Sequence, residues 1–131
     1  MIAVLDSDFI IDFFKNKESA VKKMESLESG NAMLFTTVFN YHEVIKGFIK
    51  AQINGKEAFA ELFFSSIGVL PYGRQEAKKA AQIEAELESR GEKISAFDTL
   101  IAAIAICRGA VLITRNTRHF SRIKGLKTES W

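Results

Sequence analysis

Cysteine, proline and tryptophan each occur only once in this sequence of 131 residues. The single cysteine, Cys107, lies in an apolar run, which excludes a disulfide framework and a thiolate zinc site. No apolar run approaches the roughly 20 residues that a membrane-spanning helix needs, and the apolar start of the sequence is too short for a signal peptide. We therefore expect a cytoplasmic protein that has no membrane partner.

Repeats, low-complexity segments and linkers rich in Pro, Gly or Ser are also missing, so we expect one domain over residues 1–131. Hydrophobic residues make up 47% and charged residues 26%, which is typical of a globular protein. The net charge of +2 is too small to identify a nucleic-acid partner. The stretch from Arg108 to Lys127, however, holds six Lys or Arg residues and no acidic residue, which indicates a basic patch.

Short apolar runs alternate with amphipathic stretches along the chain. The apolar runs predict strands at residues 2–5, 33–36, 67–70 and 110–114. The amphipathic stretches predict helices at residues 7–15, 17–29, 38–52, 56–66, 74–90 and 96–108, with a helical turn near 117–122. Three of these helices have a glycine as their predicted stop, at Gly30, Gly91 and Gly109. The alternation predicts an α/β fold, a three-layer α/β/α sandwich around a mostly parallel sheet of four or five strands.

Carboxylates are placed where such a sheet would expose them. Asp6 follows the first strand, and Glu43 and Asp98 fall within the first two turns of two predicted helices. Ligands of open α/β sheets bind beyond the carboxyl ends of the strands. Mg²⁺, which Mn²⁺ can replace, prefers carboxylate oxygens and water. We therefore predict that these three acids hold a metal ion that assists phosphodiester hydrolysis.

Other polar residues fall at the same edge. Asn116 follows the fourth strand and is a further candidate catalytic residue, and the hydroxyls of Ser7 and Thr114 lie beside these positions in the sequence. Like charges held close together repel each other, so at least one carboxylate should have a raised pKa when no metal is bound.

Each candidate also has a structural alternative. Asp6 and Asn116 are suited to N-cap a helix. Ser95 and Asp98 have the spacing of a capping box, and Glu43 alone would be read as a solvated helix residue. The functional interpretation is favoured because the candidates would coincide at one edge of the sheet.

Four segments together resemble the PIN-domain family and, within it, the VapC-type ribonuclease toxins of prokaryotic toxin–antitoxin pairs. They are residues 2–12 around Asp6, 36–47 around Glu43, 94–105 around Asp98, and 112–120 around Asn116. The resemblance implies a Mg²⁺-dependent endoribonuclease that cleaves single-stranded or looped RNA and leaves a 5′-phosphate and a 3′-hydroxyl. It also implies an antitoxin protein as partner and a homodimer, which the eleven phenylalanines favour because they exceed the needs of one small core.

The last of these segments departs from the family. Many relatives carry a fourth acid there, at the position of Asn116 or of His119. In this chain Asn116 would orient a water on the ion, and His119 would contact phosphate or remain an exposed turn residue. Arg115, Arg118 and Arg122 have a spacing that would place them on one side of a turn, and they are predicted to hold the RNA backbone.

Two other functions compete with this one. A PIN-like module that binds RNA or protein and has weak or no cleavage activity is favoured by the missing fourth acid. A haloacid dehalogenase-like phosphatase is suggested by Asp6-Ser7-Asp8 after an apolar strand, with Asp6 as nucleophile. Such phosphatases also need a later pair of acids, and the late acidic segment here contains only Asp98.

Overall fold

Within residues 1–52 and 54–131, which the computed structural model describes, five parallel strands form one sheet. The strands are β1 (Ile2–Leu5), β2 (Met33–Thr37), β3 (Gly68–Leu70), β4 (Val111–Ile113) and β5 (Lys127–Glu129). Their order in the sheet is β3-β2-β1-β4-β5. The central strand β1 places Val4 beside Phe35 on one side and beside Leu112 on the other. The predicted parallel sheet is confirmed.

The strand β5 was not predicted from the sequence. Its residues Lys127, Thr128 and Glu129 carry no apolar signal, and only Thr128 is partly buried. The strand lies at the edge of the sheet, where Lys127 pairs with Val111. Edge strands are often short and charged because such residues discourage pairing with other chains.

Helices cover both faces of the sheet. They are α1 (Ser7–Phe14), α2 (Glu18–Ser29), α3 (Val38–Ala51), α4 (Lys56–Ser66), α5 (Arg74–Ser89), α6 (Ala96–Cys107) and the short α7 (Thr117–Phe120). The bounds of the six longer helices agree with the predicted ones to within one residue at each end. None of the helices in the described part of the chain is long and apolar enough to cross a membrane.

The core has two parts, one on each side of the sheet. On one side, Leu5 and Ile113 pack with side chains of α1, α2 and α4. On the other side, Val4 and Leu112 pack with α5 and α6. Adjacent residues of a strand point to opposite faces, so β1 and β4 are buried on both sides and read as continuous apolar runs. The predicted three-layer sandwich is confirmed.

Left-handed residues end several of the helices. Gly91 (φ 67°) and Gly109 (φ 62°) take this conformation after α5 and α6, as the sequence predicted. After α2 the left-handed residue is Asn31 (φ 57°), and Gly30 has a φ of −81°. The helix α2 ends at its C-cap Gly30, as predicted, and Asn31 takes the left-handed conformation because asparagine tolerates it better than most residues.

The phenylalanines form a layer of their own on the helical side formed by α1, α3 and α4. The ring of Phe14 lies 5.0 Å from that of Phe63 and 5.1 Å from that of Phe59, between ring centroids. Phe64 is buried and Phe63 is half-buried, which agrees with the core role expected for this group, whereas Phe59 is 51% exposed. The surplus of phenylalanine is thus largely absorbed within one chain, and the homodimer stays a prediction.

Candidate active site

A cavity of about 340 Å³ opens at the carboxyl edge of the sheet. The side chains that line it are those of Asp6, Ser7, Asp8, Ile11, Phe39, Glu43, Phe97, Asp98, Ile101 and Asn116. The four residues that the sequence nominates as catalytic therefore meet in one cavity, although they come from four separate segments. Ser7 lies with them, and Thr114 stands directly behind Asp6.

Asp6 forms the floor of this cavity and is only 6% exposed. Its Oδ1 accepts hydrogen bonds from the backbone N–H of Ser7 and from the side-chain amide of Asn40, both at 2.9 Å. Its Oδ2 accepts a hydrogen bond of 2.7 Å from the hydroxyl of Thr114. Asp6 is also the N-cap of α1, so the capping role and the site role fall on the same carboxylate. These bonds hold the carboxylate in one orientation.

Asn40 orients this floor and was missed by the sequence interpretation. It is completely buried, and its Nδ2 also donates to the hydroxyl of Ser7 at 3.0 Å. Its Oδ1 accepts a hydrogen bond of 2.7 Å from the Thr37 hydroxyl, which in turn accepts one of 3.2 Å from the backbone N–H of Asn40. The visible signal was the Thr-x-x-Asn spacing at the end of β2, which has the form of a capping box with Asn in place of Glu.

The pKa of Asp6 is raised to about 6, first by burial and then by the charge of Asp8. The hydrogen bonds from Thr114 and Ser7 oppose this shift, and the charge of Asp98 adds to it. The expectation of a raised carboxyl pKa is confirmed in direction, but burial exceeds repulsion between carboxylates as its cause. A cation close to Asp6 would offset both effects.

Asp8 also lines the cavity, although the sequence did not nominate it as a site residue. Its Oδ1 accepts from the backbone N–H of Phe9 at 2.7 Å, and its Oδ2 accepts from the backbone N–H of Arg115 at 3.0 Å. Burial raises the pKa of Asp8, and these two hydrogen bonds oppose the shift. Asp8 therefore ties the start of α1 to the segment that follows β4.

The other three predicted residues approach the cavity from its rim. Glu43 is exposed on α3 and Asp98 is half-buried in the first turn of α6. Ser95 caps α6 by accepting from the backbone N–H of Asp98 at 3.1 Å, which leaves the Asp98 carboxylate free of the cap. Asn116 occupies the N-cap position of α7, but its side chain makes no capping hydrogen bond. The capping alternative for Asn116 is therefore wrong in this structure.

The three arginines do not share one side of a turn, which corrects the sequence interpretation. The guanidinium of Arg115 pairs with Asp12 and lies 5.1 Å from the centroid of the Trp131 ring, on the side of the sheet that α1 covers. The guanidinium of Arg122 donates to the carbonyl of Lys93 at 3.4 Å, on the opposite side. The spacing suggested a continuous helical turn, but α7 begins only after Arg115 and ends before Arg122.

Arg118 remains an exposed cation of α7, and His119 beside it is exposed as well. Neither side chain lines the cavity.

Asp12 was not nominated from the sequence, yet it is buried and bonds to three partners. They are Arg115, Lys17 at 3.1 Å and the indole N–H of Trp131 at 3.2 Å.

The donor set of the cavity matches the chemistry of a hydrated divalent cation. Mg²⁺ keeps several of its waters and needs only one or two protein carboxylates. Asp6, Asp98 and Glu43 supply carboxylate oxygens around one water-accessible space. Across residues 1–52 and 54–131, no three His, Cys, Asp or Glu side chains are close enough together to form a ready-made cage. The donors fit a partly hydrated ion, and their convergence on a single ion stays a prediction.

These features define a class: a parallel three-layer α/β protein with an acidic cavity at the carboxyl edge of its sheet. The chain belongs to the PIN domain family, whose model matches residues 3–126. It is 36% identical to the tRNA(fMet)-specific endonuclease VapC of Shigella flexneri over 129 residues, which cover 98% of this chain and 96% of that protein. This membership replaces the haloacid dehalogenase-like interpretation of Asp6-Ser7-Asp8.

Solved structures show the same fold. The structure of VapBC2 from Rickettsia felis bound to a promoter DNA fragment matches with a TM-score of 0.89 at 26% identity, covering 100% of this chain and 99% of that chain. The structure of DNA-bound VapBC from Salmonella typhimurium matches with a TM-score of 0.87 at 30% identity, covering 100% and 98%.

Proposed function

We propose that this protein is a Mg²⁺-dependent endoribonuclease and the toxin of a toxin–antitoxin pair. The observation that carries the proposal is the single cavity in which Asp6, Glu43 and Asp98 meet from three separate elements of the fold. Family membership supports it, because relatives over the whole chain are named ribonucleases and endonucleases. Mn²⁺ has the same preference for oxygen ligands and is expected to replace Mg²⁺.

Asp6, Asp98 and Glu43 are the residues that would hold the ion. When bound, the ion supplies a lowered pKa for water and neutralises charge that develops on the phosphoryl oxygens. Asp6 offers a carboxylate whose orientation is already determined by Ser7, Asn40 and Thr114. This carboxylate is therefore already oriented in the folded protein before an ion binds.

The proposed reaction is in-line hydrolysis of one phosphodiester bond. A water oxygen forms a bond to phosphorus, the bond from phosphorus to the 3′-oxygen breaks, and that oxygen takes up a proton. The products are a 5′-phosphate and a 3′-hydroxyl. The free amide of Asn116 faces the same cavity and is suited to accept a hydrogen bond from the attacking water.

The RNA strand and the protein partners complete the proposal. Arg118 is an exposed cation of α7 and is suited to a phosphate, whereas Arg115 pairs with Asp12 and Arg122 donates to the carbonyl of Lys93. His119, its exposed neighbour, is a second candidate phosphate contact. An antitoxin protein is proposed as partner because the solved neighbours are VapBC complexes. A homodimer in the cytoplasm is the state in which we expect the protein.

A PIN-like RNA-binding module without cleavage is the competing function. The observation in its favour is that no three acidic side chains of the described residues stand at ligand distance from one point. A titration separates the two functions. The purified protein is incubated with single-stranded RNA in EDTA, in Mg²⁺ and in Mn²⁺, and the product ends are determined by mass spectrometry.

We expect cleavage that depends on Mg²⁺ or Mn²⁺, stops in EDTA and leaves 5′-phosphate ends. Binding of RNA without cleavage at any metal concentration would favour the module. Cleavage that persists in EDTA and leaves 2′,3′-cyclic phosphates would contradict a hydrolytic metal site.

A further inference from the structure

Phe97 is an exposed aromatic residue inside the acidic cavity. It precedes Asp98 in the first turn of α6, lines the cavity and is 44% exposed. Among the described residues, the only other exposed phenylalanine is Phe59, at 51%, and it lies outside this cavity. A single exposed ring is common on a protein surface, but Phe97 lines the same cavity as Phe39, Ile11 and Ile101, and together these side chains form an apolar surface next to the carboxylates.

Neighbouring rings hold Phe97 in place. The Phe39 ring, which also lines the cavity, lies 5.6 Å from it between centroids, and the His42 ring lies 6.0 Å away. Phe39 is supported in turn by Tyr72 at 5.2 Å in an edge-to-face arrangement. A ring supported in this way loses little further rotamer freedom when a planar ligand stacks on it.

The cavity therefore combines two chemistries. One part carries the carboxylates Asp6, Glu43 and Asp98, and the other is apolar, formed by Phe97 with Phe39, Ile11 and Ile101. Carboxylates and a cation can hold the phosphate of a nucleotide, but they offer nothing to its base. The apolar part offers a surface for a flat ring within one residue of the predicted ligand Asp98.

We propose that Phe97 stacks on an unpaired nucleobase next to the phosphate that is cleaved. This inference rests on the proposed function and adds to it a residue that contacts the base of the substrate. A base in a duplex is already stacked and paired, so only a base in a single strand, loop or bulge can turn onto the ring. Stacking on an aromatic side chain accepts every base, so Phe97 selects unpaired RNA and not a sequence.

The test is a binding measurement in which the base itself reports stacking. Oligouridylate 12-mers that carry one 2-aminopurine are titrated with the purified protein in Ca²⁺, which also takes carboxylate oxygens as ligands, and the fluorescence of the 2-aminopurine is followed. The variants are Phe97→Leu, which removes the aromatic face, and Phe97→Trp, which restores one. Phe59→Leu is the matched control, since it removes an equally exposed ring outside the cavity.

We expect quenching with the wild type, Phe97→Trp and Phe59→Leu. Phe97→Leu should lose the quenching and bind about tenfold more weakly, in keeping with the contribution of one stacked base. The same oligonucleotide in a duplex should show no quenching by any variant. Equal quenching and affinity for Phe97→Leu and wild type would overturn the inference, and so would a wild type that quenches at no position of the strand.

Two further readouts keep the alternatives apart. Cleavage in Mg²⁺ is measured on the same oligonucleotides, where Phe97→Leu should raise KM about tenfold and leave kcat within about twofold. Quenching that depends on Phe97 in a protein that never cleaves would uphold the inference and overturn the proposed nuclease. Sedimentation of each variant tests for a protein contact. A change from dimer to monomer in Phe97→Leu, with RNA binding unchanged, would assign this ring to an interface and overturn the inference.

Discussion

The hydroxyl of Thr114 donates a 2.7 Å hydrogen bond to the carboxylate of Asp6, which lies 108 residues earlier in the chain. The two residues follow the adjacent parallel strands β4 and β1, in which Ile113 pairs with Leu5. Both side chains are buried. The sheet register therefore places the donor against the acceptor, and the floor of the cavity is assembled by the same pairing that forms the core.

Replacing Thr114 by valine tests this relationship. Valine keeps the shape but removes the hydroxyl, which leaves one buried oxygen of Asp6 and the backbone N–H of Asn116 without this partner. We expect a loss of about 1–3 kcal/mol in the free energy of unfolding, measured by urea denaturation at pH 7. Thr128→Val on the edge strand β5 is the control and should change stability by less than about 0.5 kcal/mol. If both substitutions changed the free energy of unfolding equally, the hydrogen bond from Thr114 to Asp6 would not stabilise the protein.

Asn40→Asp tests the orientation of the buried amide. The substitution replaces the donor 2.9 Å from Asp6 Oδ1 by a second carboxylate. Two buried carboxylates can share a proton at pH 5 but repel each other at pH 8. We expect a stability loss of at least about 2 kcal/mol at pH 8 and a smaller one at pH 5. The exposed Asn16→Asp serves as the control, and a loss for Asn40→Asp that is independent of pH would contradict the assigned amide orientation.

The raised pKa of Asp6 predicts a pH dependence of stability. Its ordinary pKa is 3.8, and the folded protein raises it to about 6, so the folded state binds the proton more tightly than the unfolded state. The contribution of Asp6 to stability is therefore fully present below pH 4 and is lost as the pH rises to about 6, by about 3 kcal/mol in total.

Asp6→Asn isolates this contribution, because asparagine does not titrate and is also a good N-cap. The free energy of unfolding of the wild type, relative to Asp6→Asn, should fall between pH 4 and pH 7 in EDTA. Mg²⁺ added at pH 7 should recover part of the loss in the wild type only. A difference between the two proteins that stays constant with pH would show that burial does not raise this pKa.

Arg115 and Arg118 should separate stability from RNA binding. Arg115→Ala removes a partner from the buried carboxylate of Asp12 and the cation from the Trp131 ring. We expect it to cost about 1 kcal/mol in stability by thermal and urea unfolding, because the Arg115 side chain is 56% exposed and Asp12 keeps Lys17 and Trp131 as partners. Arg118→Ala should leave stability unchanged and reduce the salt dependence of RNA binding by about one phosphate contact. If Arg115→Ala instead reduced the salt dependence of RNA binding and left stability unchanged, Arg115 would be an RNA contact, as the sequence predicted.

The apolar strands and amphipathic helices were predictable because their burial leaves a periodic signal. The hydrophobic pattern located β1 and the helix boundaries. Ligands of open α/β sheets bind beyond the carboxyl ends of the strands, and this rule nominated Asp6, Glu43, Asp98 and Asn116, which meet in one cavity. The charged strand β5 was not predictable, because its pairing with β4 depends on the sheet edge and not on its own composition.

The hydrogen bonds that orient Asp6 could not be predicted from the sequence pattern either. The Thr37-x-x-Asn40 spacing indicates a local cap, but no local spacing indicates that Asn40 and Thr114 donate hydrogen bonds to Asp6 across the fold. Arg115 looked like a solvated cation until the fold brought Asp12 and Trp131 to it. Side chains that act on a distant partner need the tertiary structure before their role can be assigned.

The most direct test of the account is RNA cleavage by purified Asp98→Asn in Mg²⁺. Asparagine keeps nearly the same shape and the cap from Ser95, because that cap binds the backbone N–H of residue 98. It removes one negative charge from the cavity. Glu25→Gln, an exposed position on α2, removes one charge elsewhere and serves as the control. The account predicts that Asp98→Asn has no cleavage activity and a stability within about 1 kcal/mol of the wild type, while Glu25→Gln cleaves normally. Cleavage by Asp98→Asn at the wild-type rate would contradict the assignment of this cavity as the active site.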